Sequence, residues 1–198
     1  TLINLEGGTP SAAQITASEM NGYNNFTNCK IYGPESPLAI CYLYAEQGFG
    51  HNLFENNTAV YTGTGVTMGS YGIAKGNNIV GTSLTVGSNG EAYDNNITGT
   101  LTANNAYVHD NNVDTIILNG ANARFSGEFT NLQVKKDVVV SDLVIAGTLT
   151  FTGANSIVSN VTANNVVFGI TGGKATNSKL VNSTVTGTVT FTRSVSEI

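Results

Sequence analysis

Leu84-Thr85-Val86, Leu101-Thr102-Ala103, Ile116-Ile117-Leu118, Leu132-Gln133-Val134, Leu149-Thr150-Phe151 and Val166-Val167-Phe168 begin 17, 15, 16, 17 and 17 residues apart. Each word places apolar residues at alternate positions, the pattern of a short strand with one face turned inward. A second word follows inside each period: Ala92-Tyr93, Ala106-Tyr107-Val108, Ala123-Arg124-Phe125, Val138-Val139-Val140 and Ile157-Val158. A third follows that: Ile97-Thr98, Val113-Asp114, Phe129-Thr130, Leu143-Val144-Ile145 and Val161-Thr162. Two or three strands in so short a period leave no chain for helices and predict a β-solenoid. Stacked coils lie about 4.8 Å apart, so Asn95 is expected over Asn111, and Asn96 over Asn112, as amide ladders. The Asn-Asn and Gly-Asn steps between words read as corners, because Asn tolerates left-handed backbone. The predicted fold is therefore all-β, a single-stranded parallel β-helix with coils of about 16–18 residues.

Composition agrees with that reading and removes several classes of function. The 198 residues include 26 Asn, 26 Thr and 23 Gly, and only 11% are charged. Eight Lys and Arg against 13 Asp and Glu give a net charge of −5, which cannot neutralise a row of phosphates, so no nucleic-acid partner is expected. No stretch reaches the roughly 18 apolar residues of a membrane span. The opening residues lack a Lys- or Arg-led apolar segment, so the chain is expected to be a mature or trimmed product.

The upstream coils are looser. Residues 24–33, 51–63 and 65–79 alternate apolar residues with Asn and Gly. They resemble the degenerate coils of right-handed parallel β-helices of the pectin-lyase-like type. The later coils resemble bacterial surface β-solenoids such as autotransporter passengers and bactofilin-like proteins. That resemblance, over roughly residues 20–192, implies a right-handed helix, in an architecture that serves lyases, adhesins, phage tailspikes and scaffolds alike. Residues 1–18 depart from the repeat and read as an N-terminal cap or an assembly arm. Residues 19–198 form the solenoid, with an irregular insertion around 34–50.

Candidate sites are sparse. Asp94 and Asp110 are one 16-residue stride apart and Asp114 lies further round the coil, so these three are the candidates for a calcium site or an acid pair, with calcium the one cofactor expected to fit. Solvated corner carboxylates are the alternative. His109 follows Tyr107-Val108 and precedes Asp110, without a Ser or Cys nucleophile placed beside it, so no enzymatic constellation is expected. Cys29 and Cys41 either close a disulfide loop, adding about 3 kcal/mol in an oxidising compartment, or remain buried thiols. Asn25, Asn56, Asn96, Asn160 and Asn182 head Asn-x-Ser/Thr sequons and are N-glycosylation candidates. Tyr23, Tyr32, Tyr42 and Tyr44, with Phe49 and Phe54, form either an aromatic binding surface or a packing cluster. Thr-x-Thr words such as Thr148-Leu149-Thr150 suggest ice binding as a third reading, but they do not recur in register on every coil. The first expectation is a secreted, cell-surface structural or adhesive solenoid that self-associates through terminal coils or the N-terminal arm, with a host or cell-surface glycan or protein as further partner. A carbohydrate-binding or polysaccharide-cleaving β-helix is the alternative.

Overall fold

The computed structural model describes residues 2–4, 13–16, 25–32, 41–45, 53–60, 65–153, 155–169, 179–181, 184–185 and 189–192. It is all-β, a parallel β-solenoid of about six turns, with no helix among the described residues. Each coil contributes short strands to three faces, and every strand pairing is parallel.

The six quoted words form the first face in the expected order. Leu84 pairs with Leu101, Leu101 with Ile116, Ile116 with Leu132, Leu132 with Leu149 and Leu149 with Val166, so the strides of 17, 15, 16, 17 and 17 are the register itself. These side chains are buried along the axis, each contributing about 1.5–3 kcal/mol over an exposed position. Between them, Thr85, Thr102, Ile117, Gln133 and Thr150 face outward and are half-buried. Ala13–Thr16 and Cys41–Ala45 continue this face upstream, although they lie within the expected cap and insertion. The remainder of those two segments lies largely outside the described residues.

The second face is a six-stranded sheet of Asn25–Thr27, Leu53–Glu55, Ile73–Lys75, Glu91–Tyr93, Tyr107–His109 and Arg124–Phe125. Phe54, Ala74, Ala92 and Val108 point into the core. Their neighbours at positions one and three of each strand point outward, as a two-residue period requires. The third face begins with Leu2–Asn4, Lys30–Tyr32, Thr58–Val60 and Asn78–Val80 and runs on through Asn96 and Asn112.

The corner between the second and third faces explains the asparagine content. Asn28, Asn56, Gly76, Asp94 and Asp110 each take left-handed backbone, with φ of 55°, 53°, 63°, 55° and 52°. The next residue of the coil is turned inward: Cys29, Asn57, Asn77, Asn95 and Asn111 are all buried. Asn57, Asn77 and Asn95 each donate Nδ2 to the Oδ1 of the following Asn, at 3.2, 2.8 and 2.9 Å. The same Oδ1 atoms accept the backbone N–H of the preceding coil, at 2.9, 3.0 and 3.1 Å. An outer ladder runs parallel to it, with Asn112 donating to Asn96 and Asn96 to Asn78, both at 2.8 Å. Both expected ladders are therefore present, and the inner one is the more consequential, because a buried amide must have its hydrogen bonds made.

The stack is interrupted at one level. Arg124–Phe125 is the last strand of the six-stranded sheet, and Val139–Ser141 of the next coil pairs onward with Ile157–Ser159 instead. Phe129-Thr130, expected as a strand, forms none. On the first face the same coils stay paired through Leu132, so they part like a wedge on the second. The corner changes at the same level. Glu128 follows the left-handed Gly127, which lies beside Asp110, and so stands at the chain position equivalent to Asn111 one coil earlier. A carboxylate cannot join a buried amide ladder without a large desolvation cost, and Glu128 is exposed. The wedge is part-filled by Phe125 and Phe129, packed edge to face at 5.1 Å and 83°. Beyond it the corner shortens to single left-handed residues, Asp142 and Asn160, joined by an amide-to-carboxylate bond of 3.0 Å.

Candidate functional site

The outer surface of the second face carries most of the chemistry of the described residues. The parallel register brings residues distant in the chain into columns: Glu91 over Tyr107 over Arg124, and Glu55, Lys75, Tyr93 and His109 beside them. His109 is the centre. Its Nδ1 is 2.7 Å from Asp110 Oδ2 and its Nε2 3.0 Å from Glu91 Oε1. The imidazole stacks on Tyr93, with centroids 5.0 Å apart and planes 8° from parallel, and on Tyr107 at 4.6 Å and 25°. Burial disfavours the charged ring, but the hydrogen bonds to Asp110 and Glu91, and then their charges, outweigh it, and the pKa of His109 is raised above the usual imidazole value. As an imidazolium it donates to both carboxylates, which fixes the two tyrosine rings against it.

Lys75 Nζ extends the ridge with an ion pair to Glu55 at 2.8 Å. Its pKa is raised, first by the hydrogen bond to Glu55 and also by contact with Tyr93. Tyr107 is exposed and its hydroxyl lies 3.3 Å from Ser126 Oγ. Arg124 is exposed, and its guanidinium has no ion-pair or hydrogen-bond partner among the described residues.

Two grooves meet at Tyr107 and Arg124. One, of about 540 Å³, is lined by Asn89, Glu91, Asn105 and Asn122 beside those two side chains. The other, of about 610 Å³, is the wedge itself, with Phe125, Val139, Val140, Ser141 and Leu143. Val139 is 67% exposed there and Val144, around the corner, 77%, a local surplus of apolar surface on an otherwise polar exterior.

The sequence candidates are distributed differently. Asp94 and Asp110 do occupy equivalent corners of successive coils, but Asp110 is held by His109. Asp114 Oδ2 instead accepts from Asn131 Nδ2 at 2.9 Å and Thr115 Oγ1 at 3.2 Å. Among the described residues no three His, Cys, Asp or Glu side chains converge on a point. Asp94, Asp110 and Asp114 therefore do not share one such cluster. Cys29 is a buried free thiol donating to Thr27 O at 3.4 Å, whereas the side chain of Cys41 lies outside the described residues. Asn56, Asn96 and Asn160 are exposed, with the Asn96 amide engaged on both sides by the outer ladder. The side chains of Asn25 and Asn182, and those of Tyr23, Tyr32, Tyr42 and Tyr44, fall outside the described residues. Phe54 belongs to the core. The Thr67, Thr85, Thr102 column of the first face gives way to Ile117 and Gln133, so its hydroxyl rows are interrupted.

The fold defines the protein's class as a parallel β-solenoid. Against protein-family models, curated proteins and solved structures the chain has no match. Among the described residues no helix is long and apolar enough to cross a membrane.

Proposed function

We propose that the protein is a structural and adhesive β-solenoid of the cell exterior, a segment of a surface adhesin or a subunit of an extracellular filament. The observation that carries this reading is the continuous register of the first face from Ala13–Thr16 to Val189–Thr192, which makes a stiff rod whose interior is closed by leucines and an amide ladder. The pattern likeness to autotransporter passengers and the sequons at Asn56, Asn96 and Asn160 favour the same exterior setting. Negative-stain electron microscopy with light scattering tests it: ordered rods or filaments are expected, and strictly monomeric particles would remove the filament version. Loss of assembly on deletion of residues 1–18 would assign the contact to the N-terminal arm.

A second reading, glycan binding, is favoured by one specific observation. The second face exposes Tyr107 beside the Tyr93 and His109 stack and two grooves. Rigid aromatic rings flanked by amides and carboxylates suit the apolar faces and hydroxyl rims of sugars. In an adhesin the two readings are one: the rod holds the face, and the face holds the ligand.

A further inference from the structure

We propose that the two grooves meeting at Arg124 form one binding site for an oligosaccharide in which a single carboxylate-bearing sugar adjoins a neutral one. The inference rests on the glycan-binding reading and specifies its ligand.

The argument starts from the guanidinium. Arg124 stands at the boundary of both grooves, exposed and with no partner of its own among the described residues. The carboxylate that shares its column in the register, Glu91, is committed to His109, as is Asp110 further along the preceding strand. A planar fork of donors without an internal acceptor matches a ligand carboxylate with two parallel hydrogen bonds. Tyr107, on the preceding strand of the same column, offers a ring face next to it.

The charge distribution sets the number of acidic sugars. Among the described residues one unpartnered cation, Arg124, borders both grooves, and the groove toward the N-terminal coils contains Glu91 with the amides of Asn89, Asn105 and Asn122. A second ligand carboxylate there would meet Glu91 in a like-charge contact, so that groove selects a neutral sugar, whose hydroxyls the amides and Glu91 can bond. The wedge on the other side supplies Phe125, Val139 and Leu143 as an apolar wall and Ser141 as a hydroxyl. It fits the C–H face of a ring whose carboxylate turns back to Arg124. Each groove lies within the size range of small-ligand sites. A polyuronate, charged at every residue, is disfavoured by the same geometry.

Calorimetric titration of the full-length chain separates the possibilities. The probes are cellobiouronic acid against cellobiose, and sialyllactose against lactose, the two pairs distinguishing a uronic from a sialic acid. At least one acidic member is expected to bind about tenfold or more tighter than its neutral partner, a difference of about 1.4 kcal/mol. Arg124→Gln is expected to abolish that preference while leaving residual binding of the neutral sugar. Arg124→Lys, which keeps the charge and loses the fork, should recover part of it. Tyr107→Ala should weaken acidic and neutral members alike, and Asn112→Ala, on another face, should change nothing. Circular dichroism confirms that each variant keeps the β signature. Equal binding of acidic and neutral sugars, or wild-type preference in Arg124→Gln, overturns the carboxylate inference while glycan binding stands. Absence of binding to all four probes overturns both.

Discussion

The inner asparagine ladder should be the most mutation-sensitive polar feature of the molecule, and Asn95 is its best test. Its Oδ1 accepts the Asn77 backbone N–H at 3.0 Å and Asn77 Nδ2 at 2.8 Å. Its Nδ2 donates to Ala74 O, Tyr93 O and Asn111 Oδ1, each at 2.9 Å. With Asn95 only 2% exposed, water cannot replace these partners. In Asn95→Ala the Asn77 N–H is left as a buried orphan, costing about 1–3 kcal/mol, and the remaining bonds forfeit about 1 kcal/mol each where no second partner exists. The expected loss is about 3–4 kcal/mol. At about 2–4 °C per kcal/mol for a chain of this size, Tm falls by about 10 °C. Asn112→Ala is the matched control, because Asn112 makes the same kind of amide bond, 2.8 Å to Asn96, on the exposed side of the corner. It should cost under about 1 kcal/mol. Urea titrations of wild type and both variants, followed by circular dichroism, give the difference. Equal losses in the two variants would refute the claim that burial, and not amide stacking itself, makes the inner ladder stabilising.

Four further outcomes are expected. Leu101→Ala, which empties a fully buried position between Leu84 and Ile116, should cost about 2–5 kcal/mol in the same titration. Gly99→Ala should cost about 1–3 kcal/mol, because a Cβ there would come within 2.7 Å of the Thr82 carbonyl carbon in the coil below; an unchanged midpoint would contradict the tight corner. Glu128→Asn should gain about 1 kcal/mol by letting an amide follow Asn111 in the ladder, and a loss of stability would show that the open wedge has another cause. His109 binds its proton more tightly in the folded state than in the unfolded one. Its stabilisation is therefore complete below the unfolded imidazole value of about 6.5 and is lost as pH rises through the higher folded value. The wild-type urea midpoint should fall across that window and the His109→Asn midpoint should not; parallel profiles would sink the assignment.

The solenoid was legible because its period is written in residues that the core cannot do without. Leu84, Leu101, Ile116, Leu132, Leu149 and Val166 each fill the axis of one coil, so their spacing survives a jitter of one or two residues at the corners. Asn95 and Asn111 were legible for the same reason. The wedge was not. Phe129-Thr130 has the composition of a strand, but its neighbour Glu128 brings a carboxylate to the position that holds a buried amide one coil earlier, and a carboxylate does not enter such a ladder cheaply. An apolar-alternation reading registers what a strand needs inward and is blind to what a corner refuses to bury.

The proposed binding face escaped the sequence for a related reason. The stride that places Asp94 over Asp110 also places Tyr93 over His109 and Glu91 over Tyr107, and Arg124 follows one coil later. The signal was present, carried by the outward positions of the same strand words whose inward positions declared the fold. Outward residues carry no periodic constraint from the core, so nothing in their identity marks them as a group until the register stacks them. A repeat therefore specifies its scaffold redundantly and its site only once, through residues that differ from coil to coil. In this molecule that difference is largest where the ladder ends. The second face opens at the level of Glu128, and the wedge there sets an apolar groove beside Arg124, whose guanidinium has no partner among the described residues.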